Sequence, residues 1–186
     1  MLTVRGVRAD EWAAARAFRL DALRDPIAAI AFLDTYDNAL TRPDEQWRDR
    51  TARAAAGETM TQCVAVDEDG TWAGVVTAFV ERAGDEETFG DTPKVDQAHI
   101  VGVYVRPDHR GTGLAGELFA AALAWAFGLA EPRVEQVRLF VHEHNTRAQG
   151  LYAKMGFRLT GATVPFEGDP EQSELEMAVP RPAGLD

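Results

Sequence analysis

The stretch 98–116, Ala-His-Ile-Val-Gly-Val-Tyr-Val-Arg-Pro-Asp-His-Arg-Gly-Thr-Gly-Leu-Ala-Gly, limits what this chain can fold into more than any other. Its nearly continuous apolar run, 98–105, reads as a buried central strand that stops at Arg106-Pro107. Gly111, Gly113, Ala115 and Gly116 then lead into a helix-forming run that reaches Gly128. Small residues let backbone approach a ligand closely, and the first turn of a helix offers unpaired N–H groups at the positive end of its dipole. In outline this is a cradle for a pyrophosphate. It is not a Walker loop, because no Gly-Lys-Ser/Thr follows. Taken alone, the glycines fit a plain strand-to-helix turn equally well.

Composition narrows the setting. The chain has 186 residues, 46% hydrophobic and 26% charged, which fits a single globular domain over 1–186, since domains run to roughly 100–200 residues. Cys63 is the one cysteine, so neither an intramolecular disulfide nor a cysteine-based metal site is available, and the cytoplasm is the expected compartment. No stretch approaches the ~18 consecutive apolar residues of a membrane span, and the alternating start shows no secretion signal, so no membrane partner is expected. A net charge of −11 argues against nucleic acid, whose backbone calls for a basic stripe.

Periodicity supplies a coarse element order. Residues 2–8 alternate as a strand, and Asp10 stands as N-cap to a helix reaching Arg24, with Trp12, Ala15, Phe18 and Ala22 as its apolar stripe. Asp25-Pro26 breaks that helix, a semi-apolar segment follows, and Pro43 with Asp44 and Glu45 opens a second helix ending at Gly57. Residues 59–67 and 71–82 read as a hairpin about Asp67-Glu-Asp-Gly70. An acidic, irregular loop at 84–96 precedes the central strand. Beyond the glycine helix come a strand at 134–142, a short helix at 146–155, and strands at 157–166 and 173–179.

Two motifs now combine. Arg110-x-x-Gly113-x-Ala115 resembles the Gln/Arg-x-x-Gly-x-Gly/Ala signature of the GNAT superfamily of N-acetyltransferases, and it follows an apolar strand ending in Arg-Pro-Asp, as that signature does. Asn145-x-x-Ala148-x-x-Leu151-Tyr152-x-Lys154-x-Gly156-Phe157 resembles the same family's second signature. The order β-α-α-β-β-β-α-β-α-β-β is also similar to the GNAT layout. The resemblance implies a mixed α+β fold: a central, mostly antiparallel sheet of about seven strands, splayed between the fourth and fifth, with helices on both faces.

It also implies roles. Acetyl-CoA, the co-substrate, would lie where the strands at 98–105 and 134–142 part, its pantetheine imitating a strand. Within the stretch Val103, Tyr104 and Val105, the backbone of Val103 and Val105 would bond the pantetheine, while Tyr104 points away from it or lines the acceptor side. Backbone N–H groups of Arg110, Gly111, Thr112, Gly113, Leu114, Ala115 and Gly116 would hold the pyrophosphate, the core of the binding region being 98–158. Asn145 would touch the cofactor and order its turn, and it suits a plain N-cap as well. Tyr152 would protonate the departing thiolate; as an isolated residue it would read as packing. His99 stands near the strand position where many members carry a glutamate base. An imidazole with an ordinary pKa near 6.5 can take the amine's proton at neutral pH, and the bland reading is a hydrogen-bonded core histidine. Asp96, Glu87, Glu143 or a water chain remain open as bases. His142 and His144 lack a carboxylate at ligand spacing, so no metal is expected.

The resemblance puts acceptor recognition in 25–58 and in the loops at 84–96 and 167–172. Phe32, Tyr36 and Trp47 with acidic rims would suit a cationic amine. The expected function is acetyl transfer to a primary amine of a small molecule; a protein N-terminus or lysine as acceptor, or an acyl-CoA-binding regulator without turnover, stay open. Exposed terminal strands leave a homodimer open.

Overall fold

The computed structural model describes residues 1–185. Seven strands form one sheet in the order β1-β2-β3-β4-β5-β7-β6. They are β1 (Thr3–Gly6), β2 (Met60–Val66), β3 (Trp72–Glu81), β4 (Gln97–Val105), β5 (Gln136–His142), β6 (Arg158–Phe166) and β7 (Asp169–Pro180). Six helices accompany them: α1 (Trp12–Arg24), α2 (Ala28–Ala31), α3 (Tyr36–Thr41), α4 (Asp44–Ala56), α5 (Leu114–Gly128) and α6 (Thr146–Lys154). β1 pairs antiparallel with β2, β5 and β6 each pair antiparallel with β7, and β4 runs parallel to β5. The mixed, mostly antiparallel sheet expected from the sequence is the sheet observed.

The chain divides into two compact units, one of Met1–Ala78 with Gly102–Trp125, the other of Phe79–Val101 with the chain from Ala126 onward. In the first, α1 buries Ala15, Phe18, Leu20, Ala22 and Leu23. The Phe18 ring lies 5.7 Å from Trp72 and 5.6 Å edge-on to Tyr104. Truncating such an aromatic to alanine removes about 3–5 kcal/mol. α4 buries Trp47, Thr51 and Ala54 at helical spacing and ends on Gly57 at φ +70°, a left-handed cap that glycine adopts without Cβ strain. Between these helices the segment after Asp25 is more ordered than its composition suggests. The Ile27 N–H donates to Asp25 Oδ1 at 3.0 Å, a local turn just before α2, and Thr35 accepts from the Asn38 N–H at 3.2 Å as the side-chain cap of α3.

In the second unit the β5–β7 ladder runs from Gln136↔Pro180 to His142↔Glu174. β7 is longer than its apolar run because Asp169 already pairs with Phe166. α6 packs Tyr152 and is capped by Asn145, whose side chain accepts from the Ala148 N–H at 3.3 Å. The acidic loop at 84–96 has no helix or strand. It is tied by Gly84 N–H to Pro93 O at 2.9 Å, and Phe89 meets Phe140 edge-on at 4.9 Å.

Candidate active site

In the first unit, β4 leads through a single turn, Pro107–His109, to the glycine loop. α5 begins at Leu114 and not at Gly111, because Gly111 and Gly113 take φ +80° and +92°, outside helical space. The first backbone bond back into the helix is Glu117 N–H to Gly113 O at 3.3 Å, so the N–H groups of Leu114, Ala115 and Gly116 precede it. A Cβ built on Gly111, Gly113 or Gly116 would meet nothing within 4 Å. The loop is therefore open where a ligand would sit, and a side chain there would fill that space. The Thr112 hydroxyl turns away to donate to His109 O at 2.7 Å. Gly111-x-Gly113-x-x-Gly116 also has the letter spacing of a dinucleotide fingerprint, but that fingerprint belongs to a doubly wound parallel sheet, and here β4–β5 is a parallel pair among antiparallel ones.

Arg110 anchors the loop from below. Its N–H closes on Pro107 O, its Nε donates to Val105 O at 2.9 Å, and its Nη2 donates to Asp25 Oδ2 at 2.5 Å. The Tyr104 hydroxyl donates to the same Asp25 oxygen at 3.1 Å, and its ring is turned into the apolar core. Burial opposes the charge on Asp25, but the bonds from Ile27 N–H, Arg110 and Tyr104 outweigh it and hold the carboxyl below its usual range. Val103 and Val105 flank Tyr104 at the end of β4.

In the second unit His99 is 3% exposed and its Nδ1 lies 2.9 Å from Glu81 Oε1. Glu81 Oε2 accepts from Arg138 Nε at 2.8 Å and from Gln97 Nε2 at 2.6 Å. Arg138 Nη1 also donates to Glu176 Oε2 at 2.9 Å, and Thr160 to Glu176 Oε1 at 2.7 Å. Burial alone would raise the Glu81 carboxyl; His99, Arg138 and Gln97 reverse this and hold it down at about 2. An ionised carboxylate at Nδ1 requires a donor there, so the Nδ1–H tautomer is fixed and Nε2 is left as the basic nitrogen. The ring lies between Phe79 at 5.2 Å and Phe140 at 5.5 Å.

Tyr152 is 8% exposed. Burial, and secondarily the charge of Glu174, push its hydroxyl well above the usual phenol range, so it keeps its proton across the neutral range. Burial pushes Glu174 itself up to about 7. Glu174 pairs with His142 across the ladder, so the two side chains share a face. His142 Nδ1 accepts from the His144 N–H at 3.1 Å, while its Nε2 is buried with no partner among the described residues.

The other base candidates are engaged or exposed. Asp96 accepts from Ala83 N–H at 2.9 Å, Glu143 accepts from Ser173 N–H at 2.7 Å, and Glu87 is exposed. Glu81 and Glu174 were not singled out by the sequence. Arg138 was the available signal for Glu81: a guanidinium in the middle of the buried strand at 134–142 demands a buried acid. The aromatic walls of 25–58 also differ from expectation, since Phe32, Tyr36 and Trp47 carry the protein's own guanidiniums, from Arg19 at 4.3 Å, Arg24 at 4.5 Å and Arg42 at 5.2 Å. Those faces are occupied within the chain. Among the described residues no helix is long and apolar enough to cross a membrane.

The arrangement is that of an acetyltransferase fold. An acetyltransferase of the GNAT family from Streptococcus pneumoniae superposes with a TM-score of 0.72 at 17% identity, over 96% of this chain and 98% of that one. Spermidine N-acetyltransferase from Vibrio cholerae, solved with CoA and spermine, gives 0.67 at 18% identity, over 97% and 95%. At such identities the likeness is one of fold. The model of the acetyltransferase (GNAT) family matches residues 15–157, and the chain belongs to that family. Mycothiol acetyltransferase of Salinispora arenicola is 34% identical over 128 residues, 68% of this chain and 35% of that protein. Peptidyl-lysine N-acetyltransferase YjaB of Salmonella typhimurium is 40% identical over 63 residues, 34% of this chain and 38% of that protein. The chain thus spans a little over a third of the length of these curated relatives.

Proposed function

We propose that the chain is an acetyl-CoA-dependent N-acetyltransferase acting on a primary amine of a small molecule. The observation that carries the reading is the open loop before α5, where two left-handed glycines precede the N–H groups of Leu114, Ala115 and Gly116. These groups would hold the pyrophosphate, with Asn145 and the backbone of Val103 and Val105 as further contacts. Acetyl-CoA supplies the thioester. The amine attacks its carbonyl carbon, the C–S bond breaks, the amine's proton passes to His99 Nε2 directly or through water, and the thiolate takes the Tyr152 proton. A carboxylate-oriented imidazole suits the first transfer, and a phenol whose pKa burial raises carries its proton at neutral pH.

The mycothiol relative supports a small-molecule acceptor. The lysine-acetylating relative, 40% identical over its match, favours a second reading in which the amine is a protein lysine. Thiol release from acetyl-CoA, measured across small amines, amino acids and lysine peptides, tests both. Turnover of small amines that falls about 10²–10⁴-fold in His99→Ala is expected. Turnover confined to peptides would transfer the conclusion to the second reading, and none on any amine would overturn both.

A further inference from the structure

One carboxylate in the first unit joins parts of the chain that are far apart in sequence. Asp25 stands at the end of α1, and its side chain is 7% exposed. Its Oδ1 accepts from the Ile27 N–H at 3.0 Å, which fixes the orientation of the carboxylate from its own turn. Its Oδ2 accepts from the Tyr104 hydroxyl at 3.1 Å, across 79 residues, and from Arg110 Nη2 at 2.5 Å, across 85. Tyr104 belongs to the end of β4 and Arg110 to the loop before α5, so a single oxygen holds both.

The two donors are fixed on their other sides as well. Arg110 Nε donates to Val105 O at 2.9 Å, and its guanidinium lies 5.5 Å over the Tyr104 ring. A guanidinium is a rigid plane, so holding its Nη2 end on Asp25 sets where its Nε end reaches the strand. The Tyr104 ring packs against Phe18 at 5.6 Å and Phe32 at 6.3 Å. The pantetheine and the pyrophosphate of CoA are parts of one molecule, and a linked ligand gains from its second contact only where the two halves of its site stand at the separation it spans.

We propose that Asp25 is a positioning residue for the cofactor: through Tyr104 and Arg110 it sets the end of β4, where pantetheine would pair, at the correct separation from the loop that would hold the pyrophosphate. The proposal rests on the acetyl-CoA reading of that loop. It adds to it a residue from outside the binding region expected at 98–158. Asp25 acts through its two partners and not by touching the cofactor.

The test is calorimetric titration of CoA and, separately, of ADP, which carries a diphosphate without pantetheine, into the wild-type chain, Asp25→Ala and Tyr104→Phe. Tyr104→Phe keeps the packed ring and deletes only its bond to Asp25, so it reports even where Asp25→Ala fails to fold. CoA should bind each variant about tenfold more weakly, the value of one charge-assisted contact, while ADP stays within about twofold of wild type. Asp21→Asn, which breaks the pair that α1 makes with Arg106 Nη2 at 2.9 Å and leaves the loop alone, should change neither affinity. Equal weakening of CoA and ADP would mean that Asp25 only stabilises the loop, and equal tightening that it acts only as a charge. Either result, or unchanged CoA affinity in Tyr104→Phe, or a wild type that binds CoA and not ADP, would overturn the proposal. A wild type that binds no CoA would instead overturn the acetyl-CoA reading beneath it.

Discussion

Replacing Glu81 by glutamine changes one oxygen to an NH₂ group and keeps the shape of a 2% exposed side chain. The carboxylate accepts three bonds, from Arg138 at 2.8 Å, Gln97 at 2.6 Å and His99 at 2.9 Å. An amide whose oxygen stays with Arg138 and Gln97 turns its NH₂ toward His99 Nδ1. That nitrogen must then accept, the proton moves to Nε2, and the base is lost. The account therefore expects kcat/KM in the thiol-release assay to fall about 10²–10⁴-fold, with acetyl-CoA still bound. Stability falls too, because a buried pair loses one charge while Glu176 still bonds Arg138. The cost is about 3 kcal/mol, the low end for such pairs, or roughly 6–12 °C in Tm for a domain of this size.

The depressed carboxyl, at about 2 against 4.5 when unfolded, gives the same figure of about 3 kcal/mol. That stability is present above pH 4.5 and is lost as pH falls toward 2. Glu176→Gln is the control, since it removes a partner of Arg138 without touching His99. It should lower Tm and leave kcat/KM unchanged. A Glu81→Gln variant that melts lower but turns over normally would refute the tautomer argument.

Three further outcomes follow from the same geometry. Glu174 is raised from 4.5 to about 7, so its stabilisation of the fold is lost as pH rises between those values; Glu174→Gln should raise Tm by several degrees at pH 8 and leave it unchanged at pH 4, and thermal melts showing equal gains at both would contradict the assignment. A Cβ at Gly90, φ +89°, would lie 2.4 Å from Phe140 Cζ, whereas one at Gly84, φ +86°, meets nothing within 4 Å. Gly90→Ala should therefore cost more in denaturant unfolding than Gly84→Ala, whose cost is about 1 kcal/mol of backbone strain. Tyr152→Phe should lower kcat about 10²-fold while leaving the Kd for CoA within about twofold, and an unchanged kcat would remove Tyr152 from the reaction.

Much of the fold could be read from the chain because its punctuation is local. Gly57, Gly70, Gly111, Gly113 and Gly156 all take positive φ where the sequence placed turns or helix ends. The loop before α5 and the cap at Asn145 were likewise legible, since each depends on residues within a few positions of one another. The buried partners were not. Glu81 and Arg138 are far apart in sequence and meet only because β3, β4 and β5 are neighbours in the sheet. Glu174 becomes a titrating group only through burial, which no spacing encodes. The pairing of Arg19 and Arg42 with Asp34 escaped for a similar reason. Aromatic residues in 25–58 advertise a cation site, and only their side-chain neighbours reveal that the cations are already supplied.

The most direct test of the central claim is calorimetric titration of CoA into the wild-type chain and into Gly113→Val. Position 113 has φ +92° and open space on its Cβ side, so valine there both strains the loop and fills the cradle. Binding by the wild type that weakens at least tenfold in the variant, at unchanged fold by circular dichroism, is the result the account predicts. Equal affinity in the two proteins, or no binding by the wild type, would contradict it.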